Sequence, residues 1–182
     1  AAPQVRTELR QAMSGDVWDA VQRNALDGGF YLAEPDQPPP EPLAQLTLTR
    51  FTYRVLAPAG WGPQVQGRGW KGLAALPWLA TPPASAHHRL LARVMGTGSP
   101  AGVEPRWVAL VDQESSMLDL VRSGVGLSLV RDSIAMRESQ ARGLVIADAV
   151  SLDCDLAFVY PAARRDDPLL ACACAALAAV WA

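Results

Sequence analysis

Hydrophobic and polar positions change their period several times along the chain, and each change predicts a new element. Residues 4–13 alternate between apolar and charged positions, which predicts a strand with one wet or partner-facing side. Ser14 is a plausible cap for the helix that follows, and Gly28 ends that helix before a second short strand at residues 30–33. This order predicts a strand, helix, strand unit of the kind that builds parallel sheets.

The most informative pattern lies at residues 115–130. Ser115 or Ser116 can cap a helix with an apolar stripe, and Gly124 falls where a helix ends in a left-handed conformation. Residues 125–130 then alternate apolar and small positions over a length that suits a strand. We expect the helix to stop at Ser123 and a buried strand to follow it.

Two extended segments, residues 47–57 and 155–160, predict the domain organisation. Five prolines at residues 35–42 predict an exposed loop before the first segment, and strand and helix patterns restart near Trp70. The chain is therefore expected to form an α/β fold of two lobes joined by two crossover strands. Lobe I would hold residues 1–57 and 155–182, and lobe II would hold residues 58–154.

Composition narrows the functional classes. The 182 residues are 50% hydrophobic and carry a formal net charge of −2, which suits a folded protein and gives no basic face for nucleic acid. No apolar run is long enough to span a bilayer, and residues 1–6 lack the regions of a signal peptide. A cytoplasmic protein with a small ligand is expected.

The residues that could carry redox or metal chemistry are few. Cys154, Cys172 and Cys174 are an odd number, and two cysteines two positions apart on a helix point away from each other, which favours small core residues over a metal or redox pair. His87 and His88 diverge in the same way and favour a surface or rim position. No catalytic set of acid, base and nucleophile is visible, so no metal, no cofactor and no enzyme activity are expected.

Several of these features occur together in one known family. The run from Leu118 to Leu127, the opening Pro3-Gln4-Val5, Asp27 just before a strand, and Tyr160-Pro161 followed by Asp167-Pro168 give the chain an order that resembles the effector-binding domain of LysR-type transcriptional regulators. The resemblance covers nearly the whole chain. It implies a periplasmic-binding-protein-like fold of two Rossmann-like lobes, with a small-molecule coinducer in the cleft between them. It also implies homodimers or tetramers attached to a winged helix-turn-helix that binds promoter DNA.

The chain departs from the family's pattern in two ways. No DNA-binding helix-turn-helix is visible in it, so we expect it to be the sensing part of a regulator. In the family the segment matching Pro3-Gln4-Val5 is preceded by a first strand and helix, and lobe I is expected to lack both.

The resemblance implies that loops of residues 81–85 and 113–116 hold the effector. Unpaired N–H groups and the helix dipole near Ser115 would attract a carboxylate, whereas Glu114 would oppose one, so an amide, amine or neutral ligand stays open. The plainer alternative is a helix cap and an ordinary proline turn. The expected effector-binding residues are Thr81, Pro82, Pro83, Ser85, Gln113, Glu114, Ser115 and Ser116.

Related proteins also pair head-to-tail through the second strand and the helix before the glycine stop. The corresponding dimer residues here are Val5, Thr7, Leu9, Leu118, Val121 and Arg122. Two other functions stay open at this stage, a free-standing solute-binding protein and a small enzyme on the same fold.

Overall fold

The computed structural model describes residues 5–181, which form an α/β fold. Its helices and strands follow in chain order: α1 (Ser14–Gln22), β1 (Gly29–Ala33), β2 (Leu43–Ala57), α2 (Gly62–Val65), α3 (Trp70–Ala74), β3 (Pro77–Ala80), α4 (Ala86–Ala92), β4 (Arg106–Leu110), α5 (Glu114–Arg122), β5 (Ser128–Arg131), α6 (Asp132–Arg142), β6 (Val145–Pro161) and α7 (Pro168–Trp181). A 3-10 helix, Ala162–Arg164, precedes α7. No helix among the described residues is long and apolar enough to cross a membrane.

The chain divides into two compact units. Unit 1 comprises the described parts of Ala1–Phe51 and Asp153–Ala182, and unit 2 comprises Thr52–Leu152. Both boundaries fall inside long strands, β2 and β6, so each of these strands contributes residues to both units.

Unit 1 packs α1 against β1 over a small apolar core. Val17 and Val21 of α1 are buried together with Leu43 and Val159. Strand β1 pairs with β6 in antiparallel register, from Gly29 opposite Val159 to Ala33 opposite Asp155.

An arginine ties the start of α7 to the loop before β1. Arg164 donates to the carboxylates of both Asp27 and Asp167, and Asp167 also accepts the N–H of Leu169 at 2.9 Å. Asp167 therefore caps the helix that Pro168 opens, as its sequence position predicts.

Unit 2 contains a second core around three strands. Strands β3 and β4 are parallel, and β5 joins them through a parallel bridge between Leu127 and Trp78. Strand β5 also pairs with β2 in antiparallel register, with Arg131 opposite Tyr53, within a four-stranded sheet of order β1-β6-β2-β5. The core includes Leu56, Leu79, Met117, Leu118, Val121, Val130 and Ala135.

The two glycines after α5 serve different purposes. Gly124 has φ +82°, a left-handed conformation that ends the helix after Arg122. Gly126 lies so close to β3 that a Cβ would come 2.7 Å from the carbonyl oxygen of Pro77, which accepts the N–H of Leu127 at 2.8 Å. The predicted helix stop and buried strand are therefore confirmed.

The strand predicted at residues 4–13 is wrong. Residue 4 lies outside the described residues, and residues 5–13 form no helix or strand. Leu9 is 86% exposed, and none of the strand pairings of residues 5–181 includes this segment. Alternation favours a strand only where a neighbouring strand takes up its backbone groups. Strand β1 is also antiparallel to its partner, so the predicted parallel unit does not form here.

Two other local predictions need correction. The serines predicted as caps lie inside their helices: Ser14 accepts the N–H of Leu32 at 3.2 Å, and α5 begins at Glu114, before Ser115 and Ser116. The extended segment predicted at residues 155–160 is only the last part of a much longer strand, β6 (Val145–Pro161).

Helix α7 is apolar but poorly covered. Only Leu170 is buried among its described residues, and Val180 is 78% exposed. All three cysteines are free; Cys154 is a buried core residue, whereas Cys172 is exposed and Cys174 half-buried, so the predicted core position is wrong for Cys172.

Candidate functional site

The carboxyl ends of three strands in unit 2 meet at one edge. Because β3 and β4 are parallel and β5 is bridged to β3 in the same direction, the residues that follow or end them lie together. These residues are Thr81 after β3, Asp112 after β4 and Arg131 at the end of β5. In open sheets of this kind, ligands bind beyond the carboxyl ends of the strands.

A cavity of about 160 Å³ lies at this edge, entirely within unit 2. Polar side chains dominate its lining, and Val111 and Met117 supply apolar walls. The lining residues are Tyr53, Thr81, Ser85, His87, Val111, Asp112, Gln113, Glu114, Met117 and Arg131.

Thr81 brings an unused hydroxyl to the cavity. Its Oγ1 is buried and has no hydrogen-bond partner among the described residues. A buried hydroxyl without a partner costs about 1–3 kcal/mol, so such groups normally mark a place where a ligand or a water molecule binds. The neighbouring hydroxyl of Ser85 is occupied, because it accepts the N–H of His87 at 3.1 Å and caps α4.

His87 is a neutral member of the lining. Its ring lies edge-on to Tyr53, with centroids 5.3 Å apart. Burial, aided by the positive charge of Arg131, lowers the pKa of His87 to about 4. At neutral pH the imidazole is therefore uncharged and can both donate and accept a hydrogen bond.

The start of α5 borders the cavity. Gln113 occupies the N-cap position without capping the helix through its side chain, and Glu114 is the first helical residue. Helix α5 has nine residues, and no side chain caps its start. Its first backbone N–H groups are therefore available to an acceptor at this end.

A larger groove of about 740 Å³ lies in unit 1 between the proline loop and β2. Arg50, Asp36 and Asp155 line it, but their charges bind one another, with Arg50 donating to Asp155 at 2.7 Å and to Asp36 at 2.8 Å. Among the described residues, the smaller cavity has a buried polar atom without a partner and the lining of this groove has none. We therefore take the unit 2 cavity as the candidate site.

Comparison with known proteins places the chain in a family. The model described as "LysR substrate binding domain" matches residues 1–182. The chain belongs to this family. No curated protein matches it by sequence.

Solved structures of LysR-type regulators share the fold of this LysR substrate-binding domain. CbnR, solved with its target DNA, is 13% identical with a TM-score of 0.66, and the match covers 99% of this chain and 61% of that one. LysG from Corynebacterium glutamicum, solved with bound effector Arg, is 17% identical with a TM-score of 0.62, and the match covers 93% and 55%. The CcmR regulatory domain from Synechocystis, solved with 2-PG, is 16% identical with a TM-score of 0.73, and the match covers 99% and 85%.

These likenesses confirm the predicted periplasmic-binding-protein-like fold class. The chain spans 55–61% of the length of the full-length regulators CbnR and LysG.

Half of the residues expected to bind the effector line the cavity of this LysR substrate-binding domain. Thr81, Ser85, Gln113 and Glu114 do so, whereas Pro82, Pro83, Ser115 and Ser116 are not among its lining residues. Pro82 instead accepts the N–H of Ser85 at 2.8 Å in the proline turn, and the two serines lie within the first turn of α5.

Sequence reasoning missed the residues that packing alone brings to the cavity. Tyr53 comes from β2 and reaches it through its register opposite Arg131, and His87 was assigned only to a surface or rim. Asp112 could have been found by extending the strand-end argument to β4. Arg131 lines the cavity, and the carboxylate of the next residue, Asp132, accepts a hydrogen bond from Arg54 at 2.8 Å.

The expected dimer residues occupy two kinds of position. Val5, Thr7 and Leu9 are exposed, whereas Leu118 and Val121 lie in the core of unit 2, with Val121 at 0% exposure. The two core side chains therefore pack within unit 2, and Val121 presents no surface to a partner. Arg122 is half-buried and binds Glu138 and Asp119.

No group of three or more His, Cys, Asp or Glu side chains that could hold a metal ion occurs among residues 5–181.

Proposed function

We propose that this chain is the effector-sensing part of a LysR-type transcriptional regulator and that its effector binds in the unit 2 cavity. The single observation that carries the site is the buried, unpartnered hydroxyl of Thr81 at the carboxyl ends of three strands. Family membership supports the function, and the strand-end position is where this class of sheet binds ligands.

The rest of the regulator belongs to the same proposal. In the whole protein, an N-terminal winged helix-turn-helix would contact promoter DNA, and the protein would act as a homodimer or tetramer. Solved relatives include a full-length regulator with DNA and two with small effectors. This proposal includes the division into lobes after residues 57 and 154. It also includes dimer contacts made by Val5, Thr7, Leu9 and Arg122.

We further propose that the domain senses its ligand without converting it. The family consists of regulatory domains. In the cavity, the imidazole of His87 is neutral, and the hydroxyl of Thr81 donates to no base among the described residues. The comparisons lend no support to a free-standing solute-binding protein or to a small enzyme.

A thermal-shift screen of the purified chain against a metabolite panel tests the proposal. A ligand at one hundred times its Kd stabilises the folded state by about 2.7 kcal/mol, which raises Tm by several degrees. Thr81→Val should remove or greatly reduce that shift while leaving the unliganded Tm within a few degrees.

Thr97→Val is the matched control, since Thr97 is an exposed threonine of the same unit that does not line the cavity. The proposal is wrong if no metabolite shifts Tm, or if Thr81→Val responds to every ligand as the wild type does.

A further inference from the structure

The imidazole of His87 lines the unit 2 cavity without a hydrogen bond of its own. The backbone N–H of His87 donates to Ser85, and the ring meets Tyr53 edge-on. The ring nitrogens form no hydrogen bond to any residue that the structure describes. The buried hydroxyl of Thr81 is unpartnered in the same way, so one small cavity holds two unused hydrogen-bonding groups.

The other titratable groups of the lining come from the elements around this ring. Tyr53 belongs to β2, Asp112 follows β4, Glu114 begins α5 and Arg131 ends β5. Burial, and after it the positive charge of Arg131, lowers the pKa of His87 to about 4. Arg131 already interacts within the protein, so a direct contact with the ligand is not required of it. Asp112 and Glu114 are exposed, and water and salt screen their charges.

The unused groups suit a ligand that accepts hydrogen bonds. The hydroxyl of Thr81, an N–H of the His87 ring and the first backbone N–H groups of α5 can all donate. An anionic acceptor forms stronger hydrogen bonds with such donors than a neutral acceptor does. The imidazole can also gain a proton, and with it a positive charge, which neither the hydroxyl nor the backbone can do.

We propose, resting on the proposed function of this cavity, that the effector carries an anionic group and that the imidazole of His87 takes up a proton from solvent to bind it. The hydroxyl of Thr81 donates to the same anionic group. No covalent bond forms or breaks, and the proton returns to solvent when the ligand leaves. The empty cavity thereby avoids the free energy of a buried, unpaired cation, and the positive charge forms only when an anion is present to pair with it.

Coupling between the proton and the anion sets the size of the effect. An opposite charge in contact with a titratable group moves its pKa by about 1–3 units, so a bound anion should bring the pKa of His87 from about 4 to between about 5 and 7. Because such coupling is reciprocal, protonation of the ring strengthens binding of the anion by the same factor. Affinity for an anion should therefore rise about tenfold between pH 7 and pH 5.

Proton NMR of the imidazole signals of the whole chain tests the inference. The chain has two histidines, His87 and His88, so His88→Gln identifies the signals of His87. The probes are pyruvate and methanesulfonate, which stay ionised through this pH range, and their neutral counterparts pyruvamide and methanesulfonamide. All four suit a cavity of about 160 Å³, since one of about 150 Å³ holds benzene. We expect at least one of the two anions to raise the pKa of His87 by one unit or more, and the amides to leave it unchanged.

A variant without the titratable ring checks that His87 carries the proton. Isothermal calorimetry at pH 7 and pH 5 should show the tenfold gain in affinity for the anion in the wild type. His87→Gln keeps a hydrogen-bonding side chain but cannot become charged, so its affinity should be the same at both pH values. His88→Gln removes the adjacent histidine, which does not line the cavity, and should keep the gain. Far-UV circular dichroism and Tm establish that each variant is folded.

The outcomes separate this inference from the proposed function. A pKa of His87 that neither anion moves, or that the amides raise equally, overturns the role of the ring, while a metabolite shift that needs Thr81 would still uphold the site. A gain in affinity that persists in His87→Gln places the proton on another group and also overturns it. If the metabolite panel yields a Thr81-dependent ligand that is uncharged, the inference is again wrong and the proposed function stands. If no probe and no metabolite binds, both fail.

Discussion

The guanidinium of Arg50 holds the carboxylate of Asp155 with two hydrogen bonds, from Nε to Oδ1 at 2.7 Å and from Nη2 to Oδ2 at 3.1 Å. Asp155 is buried on β6, and it also accepts the N–H of Asp36 in the proline loop at 3.4 Å. Together with the outer bond from Arg50 to Asp36, this network fastens the loop to two strands of unit 1. Arg50 keeps the pKa of Asp155 below its usual range.

We expect Asp155→Asn to lower the free energy of unfolding by about 2 kcal/mol, because it leaves a guanidinium beside a buried neutral amide. Urea denaturation at neutral pH measures the loss. Asp36→Asn removes only the exposed end of the network and should cost about 0.5 kcal/mol. Equal losses for the two variants would show that burial of Asp155 does not strengthen the pair.

A second paired carboxylate connects α5 to α6. Glu138 is 3% exposed and accepts two hydrogen bonds from Arg122, at 2.7 and 2.9 Å, which lower the pKa of Glu138. A depressed acid contributes stability that is present above its unfolded-state pKa and is lost as the pH falls through its folded-state pKa.

Glu138→Gln should therefore cost about 2 kcal/mol at pH 7 and less as the pH falls below about 4. Denaturation midpoints measured between pH 7 and pH 3 give the comparison. Asp119→Asn, which removes the exposed partner of Arg122, is the control and should be nearly neutral. A loss for Glu138→Gln that stays constant with pH would contradict the role assigned to its charge.

His87 should make the free energy of unfolding depend on pH between about pH 6.5 and pH 4, above the range in which Glu138 acts. Its pKa is about 4 in the folded protein and about 6.5 in an unfolded chain, so the unfolded state binds more protons between these values. Stability therefore falls as the pH is lowered from 6.5 towards 4, by on the order of 2 kcal/mol for this half-buried ring.

His87→Gln should flatten that part of the pH profile, as followed by Tm in steps of half a pH unit. His88→Gln is a matched control on the adjacent residue, which does not line the cavity. An unchanged slope in His87→Gln would mean that the ring is not buried in solution as it is here.

Replacing each of the two glycines after α5 by alanine should lower the free energy of unfolding by different amounts. Gly126→Ala drives a methyl group into the backbone of Pro77 at 2.7 Å, and we expect a loss of about 2–3 kcal/mol. Gly124→Ala meets no atom within 4 Å and costs only the left-handed conformation, about 1 kcal/mol. Gly69→Ala, with an ordinary φ of −73° and open space, should be neutral. Equal effects at positions 124 and 126 would disprove the close approach of β5 to β3.

Local signals in the sequence were enough to predict much of the fold. Gly124 marks the end of α5, Asp167 and Pro168 mark the start of α7, and the β-branched run around Thr49 predicts β2. Pairing could not be predicted in the same way. The alternation at residues 5–13 is typical of a strand, but this segment pairs with no neighbouring strand among the described residues. Polar residues such as Asp153 interrupt the apolar pattern of β6, so its sequence did not predict one continuous strand.

The candidate site was predictable where it depends on strand ends. Thr81 and Gln113 follow directly from the positions of β3 and α5. Tyr53 and His87 reach the cavity through the pairing of β2 with β5 and through the packing of one ring against the other, which no local pattern encodes.

Helix α7 carries no Asp, Glu, Lys, Arg or His between Pro168 and Trp181, and most of its leucine, valine and alanine side chains face water. Such an exposed apolar helix favours aggregation as the protein concentration rises, and sulfate or phosphate salts strengthen that tendency. Cooling weakens it, because hydrophobic attraction fades at low temperature. Chilled, dilute samples in buffers of low ionic strength are therefore the conditions in which this chain stays dispersed.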